Sequence, residues 1–138
     1  MFAMVWMSFN SYYAFHYHKI NRELDQIVEF AKDNESLYSD LIKNNCTDIL
    51  MEFKKTGWLF GEPGERDCVA DMRINSSRKI YFNENHQSCE DFFKVVYQIR
   101  CNFFHGSKEV SDEGNKKIIQ WAYKYLNIFW KKFLNQNS

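Results

Sequence analysis

Apolar positions recur every three or four residues through most of this chain. Trp6, Phe9, Tyr13, His16, Ile20, Leu24, Ile27 and Ala31 keep that spacing, which predicts one long helix from about residue 3 to 32 with a single inner face. Arg22, Glu23, Gln26, Glu29 and Lys32 fall off the stripe, and Asp33-Asn34 supplies a stop and a cap for the next helix. A second helix is predicted from about 35 to 55. Leu37, Leu41, Asn45, Ile49 and Phe53 form its stripe, Tyr38, Ile42 and Leu50 widen it, and Gly57 ends it. A third begins at Ser88, where Asp91 three residues later completes a capping-box pattern. Its stripe is Phe92, Val96, Ile99 and Phe103, and Gly106 is placed to stop it. The fourth starts near Ser111-Asp112 and runs to about 134. Ile118, Ala122, Tyr125, Phe129 and Phe133 face inward, joined by Ile119, Leu126 and Trp130, while Lys117, Lys124 and Lys131 recur on the outside.

Residues 57–87 break the pattern. Gly57, Gly61, Pro63 and Gly64 punctuate the first half, and Arg73-Ile74 and Ile80-Tyr81-Phe82 flank Asn75-Ser76-Ser77 as a candidate short hairpin. A connection this long is uncommon in a compact domain unless it has a role or is an insertion. Arg73, Arg78 and Lys79 suit contact with nucleic acid; the alternative is an ordinary solvated loop. The expected fold is therefore all-α: one domain over residues 1–138, an antiparallel four-helix up-and-down bundle with one long loop between helices two and three. A single proline and five glycines in 138 residues agree with long helices.

Charge refines this reading. The formal net charge is zero, but residues 1–93 hold 10 basic and 15 acidic side chains, and residues 94–138 hold 8 basic and 3 acidic. The basic third favours an anionic ligand, the alternative being a solvated face. Aromatics make up 18% of the chain, enough for some to face a partner. In helix four, Trp121, Tyr123, Tyr125, Phe129 and Trp130 read as core or dimer interface rather than as a base-stacking surface. Cys46, Cys68, Cys89 and Cys101 show neither a CxxC pair nor zinc spacing, and read as free thiols of a reducing cytosol. The uncharged opening segment lacks a basic start and a small-residue cleavage site, and Ser8, Asn10, Ser11 and His16 interrupt any membrane span. A cytoplasmic protein without membrane contact is expected. His16 and His18 would lie on opposite faces of a helix and so do not chelate a metal. His16 falls on the apolar stripe and reads as a hydrogen-bonded core histidine, and His86 as a surface residue. No Gly-rich phosphate loop and no Ser-His-Asp arrangement is visible.

The segment richest in chemistry is Tyr97-Gln98-Ile99-Arg100-Cys101-Asn102-Phe103-Phe104-His105-Gly106. Arginine is a permanently charged fork that suits phosphate, and histidine can move a proton near neutral pH. Arg100 and His105 are about 140° and ~7.5 Å apart on an ideal helix, so they converge only if His105 lies where the helix unwinds, which Gly106 permits. Asn102 shares the side of His105, and Tyr97 is one turn before Arg100, where it could stack on or support the guanidinium. A two-fold dimer pairing through helix three would place two arginines and two histidines in one cleft. One histidine would serve as base on a 2′-hydroxyl and the other as acid on the leaving 5′-oxygen. The plainer alternative for His105 is a helix C-cap.

YQIRCNFFHGSK, Tyr97 to Lys108, resembles the signature of HEPN domains, an Arg followed after four to six residues by His at the end of a bundle's third helix. Trp6-Met7-Ser8-Phe9-Asn10-Ser11-Tyr12-Tyr13 resembles the W-x-x-F-N-x-x-Y opening of the Apea-like HEPN subgroup. The resemblance implies a helical homodimer and a metal-independent endoribonuclease that cleaves single-stranded RNA, in toxin–antitoxin or antiviral defence. It implies no cofactor, and an antitoxin protein as a candidate partner. It implies Arg100 and His105 as the catalytic pair, with Asn102, Tyr97 and Lys108 supporting or binding substrate. Two positions depart from the family pattern. Cys101 stands where active members often carry Asn, Asp or His, and Ser107 where members modified by a nucleotidyltransferase carry Tyr. The alternative is a non-catalytic HEPN module that binds RNA, a nucleotide or a partner protein.

Overall fold

The computed structural model describes residues 2–44, 48–56, 67–73, 75–104 and 113–137. The chain is mostly helical, with a small two-stranded sheet. The first predicted helix is two helices, α1 (Phe2–His16) and α2 (Glu23–Asp33), separated by a turn. A continuous 30-residue rod would be about 45 Å long and would overrun the core. The break lets α1 pack on α6 and α2 pack on α5. Side chains repair the interrupted backbone: Gln26 Nε2 donates to the carbonyls of Tyr17 (3.2 Å) and Ile20 (2.9 Å), and the Tyr17 hydroxyl donates to Asp33 (2.5 Å). The break also corrects the reading of His16. It ends α1, is exposed, and stacks on Tyr12 at 5.1 Å instead of entering the core.

Within the span of the second predicted helix lie α3 (Glu35–Asn44) and α4 (Ile49–Lys54), the latter preceded by Asp48 in a turn; residues 45–47 lie outside the described residues. Of the predicted stripe, Leu37, Leu41, Ile49 and Phe53 are buried, as is flanking Tyr38; Asn45 lies outside the described residues. The third and fourth predicted helices are α5 (Cys89–Phe104) and α6 (Glu113–Gln136). The capping box at the start of α5 is formed in both directions, Asp91 N donating to Ser88 Oγ and Ser88 N to Asp91 Oδ2, each at 3.1 Å. Glu35 of α3 adds a second cap by accepting from Cys89 N at 3.2 Å. Of the expected inner residues of α6, Ile118, Ala122, Tyr125, Leu126, Phe129, Trp130 and Phe133 are buried and Ile119 is half-buried, while Lys117, Lys124 and Lys131 are exposed. The aromatics of α6 are chiefly core: Trp121, Tyr125, Phe129 and Trp130 are buried. Cys68 and Cys89 are buried free thiols, while Cys101 is half-buried. Cys46, the stops at Gly57 and Gly106, the punctuation at Gly61, Pro63 and Gly64, and the start at Ser111-Asp112 lie outside the described residues.

The hairpin exists, but its first strand differs from the expectation. β1 (Cys68–Ala70) pairs antiparallel with β2 (Lys79–Tyr81), with Val69 opposite Ile80. Arg73 therefore lies in the connecting loop, where Asn75 takes a φ of 67°, a conformation Asn tolerates better than most residues. An isolated two-stranded hairpin is marginal in water, and this one is anchored on helices. Phe82, at the end of β2, is fully buried against Phe53, Phe92 and Trp121. Among the described residues one core cluster draws on each of α1 to α6 and on Val69 and Phe82. Phe30 lies near its centre, with the rings of Phe9, Phe93 and Phe133 at 4.9, 5.5 and 5.2 Å. Among the described residues no helix is long and apolar enough to cross a membrane.

Candidate functional site

The residues of interest on α5 fall into two neighbouring rows, because positions four apart share a face. Tyr97 and Cys101 form one row, Gln98 and Asn102 the other. The second row is buried, which an amphipathic reading of α5 does not anticipate. Asn102 is 7% exposed and makes three hydrogen bonds. Its Oδ1 accepts from Gln98 Nε2 (2.9 Å) and from Met72 N (3.1 Å), and its Nδ2 donates to the Ala70 carbonyl (2.9 Å). Asn102 thus fastens the end of β1 to α5.

Arg100 is gripped from two other helices. Its guanidinium carbon lies 5.8 Å from the centre of the Trp6 ring of α1, within cation–π range. Its Nη1 is 3.9 Å from Glu23 Oε2 at the start of α2. Glu23 is held in turn by the Tyr13 hydroxyl, which donates to Oε1 at 2.5 Å. The Tyr13 phenol is pushed well above its ordinary range, first by burial and then by its bond to this carboxylate. Tyr97 lies 6.3 Å from Trp6 and is raised to about 12, mainly by burial and then by Cys101. Both phenols are protonated at neutral pH, so they act as donors and apolar walls rather than as anions. Trp6, which the sequence marks only as part of an N-terminal pattern, supports Arg100 directly, and Tyr13 supports it through Glu23.

Beside this cluster opens a cleft of about 770 Å³ between α2, α5 and the hairpin. Tyr97, Cys101 and Asn102 line its α5 side, and Arg22 and Glu23 its α2 side. Asp71, Arg73 and Arg78 come from the hairpin. The long loop thus reaches the same place as the motif helix. Nothing in local periodicity links them; the isolated cations of residues 73–79 are the only hint. Asp71 is a buried carboxylate that receives Arg73 through Nε and Nη2, the shortest contact being 2.6 Å, and through the Arg73 backbone N–H at 3.1 Å. Arg73 is the main cause that holds the Asp71 carboxyl at about 2.

That depression makes the hairpin acid-sensitive. The contribution of Asp71 is complete above the free carboxyl's usual value near 4 and is lost as pH falls toward 2. Screening at the exposed guanidinium limits it to roughly 1–2 kcal/mol. In urea titrations between pH 5 and pH 2, the wild type should lose that much more stability than Asp71→Asn. Parallel curves would count against the pair.

Among the described residues no group of three or more His, Cys, Asp or Glu side chains could hold a metal ion. The described part of the site offers charge for an anion, amides and half-buried aromatic surface. The expected proton-transfer group, His105, and the expected substrate contact Lys108 lie outside the described residues. No protein-family model matches this chain, and no curated protein and no solved structure shows significant similarity to it.

Proposed function

We propose that the chain is a HEPN-type endoribonuclease that cleaves single-stranded RNA without a metal, in toxin–antitoxin or antiviral defence. The observation that carries this reading is the meeting of two separated sequence patterns at one place. Trp6 of the first lies under Arg100 of the second, and Arg100 pairs with Glu23 on the wall of an arginine-lined cleft. In this reaction a base takes the proton of the RNA 2′-hydroxyl and the oxygen attacks the adjacent phosphorus. The bond to the 5′-oxygen breaks as an acid protonates it, leaving a 2′,3′-cyclic phosphate and a 5′-hydroxyl. Arg100 holds the phosphate and offsets the charge that builds on it. His105 is the proton carrier, and a second copy of the chain supplies the second one.

The same reading includes a cytoplasmic homodimer, a four-helix up-and-down bundle formed by the single domain of residues 1–138, and an antitoxin partner. The packing of α2 on α5 and of α1 on α6 supports the bundle. Pairing through α5 would use Arg100 and Phe103, the half-buried residues of its C-terminal half that do not line the cleft, and leave Tyr97 and Cys101 on the cleft wall. A non-catalytic HEPN module is the second reading. Cys101 favours it: the residue after the arginine is a thiol engaged with Tyr97, not a polar side chain offered to substrate.

The test is mixed RNA incubated in EDTA with wild type, His105→Ala and Arg100→Ala. Wild type should produce 2′,3′-cyclic phosphate ends, and each variant should be slower by a factor on the order of 10²–10⁴. The same background from all three proteins would sink the ribonuclease reading, and tight binding of intact RNA would leave the second.

A further inference from the structure

We infer that the β-hairpin is the phosphate grip of this cleft, with Arg73 and Arg78 holding the backbone of a single RNA strand against the α5 wall. The identity of the strand rests on the ribonuclease reading; the grip itself rests on charge and geometry. Among the described residues the cleft lining carries two carboxylates and three arginines, and both carboxylates are already engaged. Asp71 is occupied by Arg73, and Glu23 by Tyr13 and Arg100. Arg78 has no carboxylate partner among the described residues. Among the described residues Arg22 pairs with Asp25 at 3.8 Å, with both side chains more than half exposed, a contact that water and salt weaken to little. Positive charge therefore remains over the opening, and an anion can complete it.

Preorganisation strengthens the case. An arginine already clamped by a buried carboxylate has fewer rotamers to lose when it meets a ligand. Arg73 is in that position, with Nε and one Nη2 bond directed at Asp71 and the other donors of its fork uncommitted to that carboxylate. The hairpin is itself fixed to α5 through Asn102, so the two walls keep their relation. A planar fork matches phosphate oxygens bidentately. The volume is that of a ligand cleft, which admits a strand with its bases splayed, whereas duplex RNA is read across an exposed minor groove. Half-buried Tyr97 supplies the aromatic surface that a groove for single strands uses.

The experiment is fluorescence anisotropy of the full chain with a labelled 2′-O-methyl oligouridine of about 12 nucleotides, in the range one single-strand site covers. The methyl groups remove the attacking hydroxyl, so binding is read without cleavage. Arg78→Gln removes a charge that makes no ion pair among the described residues, so its melting temperature should match wild type while RNA affinity falls about tenfold. The slope of log affinity against log salt should also shrink by about 0.7 per arginine lost. Arg73→Gln should do the same with some loss of stability, and Lys131→Gln on α6 should bind as wild type. Unchanged affinity and slope in both arginine variants would overturn the assignment, as would equal competition by polyglutamate of matched charge. The two readings fail separately. Binding lost in Arg78→Gln without any cleavage by wild type removes the ribonuclease and keeps the grip. Cleavage by wild type with full binding by Arg78→Gln does the reverse.

Discussion

Asn102→Leu should detach the hairpin from α5 and lower the stability of the fold by about 3 kcal/mol. The side chain is buried, and its three hydrogen bonds join α5 to itself and to both sides of the β1 end. Leucine has similar volume but cannot bond. The Ala70 carbonyl, the Met72 N–H and the Gln98 amide each lose a partner, and each buried polar group left unmatched costs about 1–3 kcal/mol, less where water can reach it. The urea midpoint should fall with little change in its slope. Hydrogen exchange should then separate local from global effects, with amides of residues 68–82 losing more protection than those of the α6 core. A loss below about 1 kcal/mol, or uniform loss of protection, would deny Asn102 its role as the fastening between the hairpin and α5. If the proposed phosphate grip holds, the variant should also weaken RNA binding without touching an arginine, because Arg73 and Arg78 ride on the hairpin.

Trp6→Ala should be more damaging still, by about 3–5 kcal/mol, the usual result of emptying a large aromatic site. The Trp6 ring is 2% exposed and meets Phe2, Phe9, Tyr13 and Tyr97 at centroid distances of 6.3, 5.4, 6.1 and 6.3 Å. Domains of this kind are stable by only about 5–15 kcal/mol, so the variant should melt on the order of 10–20 °C lower. Tyr13→Phe is the informative companion. It keeps the ring against Phe9 at 4.8 Å and removes only the bond to Glu23, so about 1 kcal/mol should be lost. If the ribonuclease proposal holds, the milder variant should still slow cleavage, because Glu23 would no longer be fixed beside Arg100. A Trp6→Ala protein that melts within a few degrees of wild type would deny the ring its place in the core. Full cleavage by Tyr13→Phe would deny the relay to Arg100.

Several elements are legible from the chain alone because their causes are local. The capping box depends on Ser88 and Asp91 three residues apart, and it forms with both bonds. The stripe of α6 depends on 3.6-residue periodicity, and Ile118, Ala122, Tyr125, Phe129 and Phe133 are all buried. The first predicted helix fails where periodicity has no opinion. It reads a face but not a length, so a stripe continued across Tyr17 to Arg22 hides the turn there. His16 is misplaced for the same reason. The turn residues reveal the hairpin but not its register, because the burial of Cys68 and Val69 against helices, and not turn composition, selects β1.

The candidate site divides along the same line. Arg100 stands out by residue type and neighbours, and Arg73 and Arg78 as loop cations. The meeting of Arg100 with Trp6 and Glu23, and the placing of Arg73 and Arg78 across the cleft from Tyr97, are not readable in advance, because Trp6 and Arg100 are separated by 94 positions in the chain. Covalent connection and periodicity act over a few residues, and they determine helices, caps and faces. Which faces meet depends on closing long loops and burying one shared core, a balance struck by the whole chain at once. The chemistry of Arg100 is therefore written in its own segment. Its orientation on Trp6, its carboxylate partner and the arginine wall nearby exist only in the folded molecule.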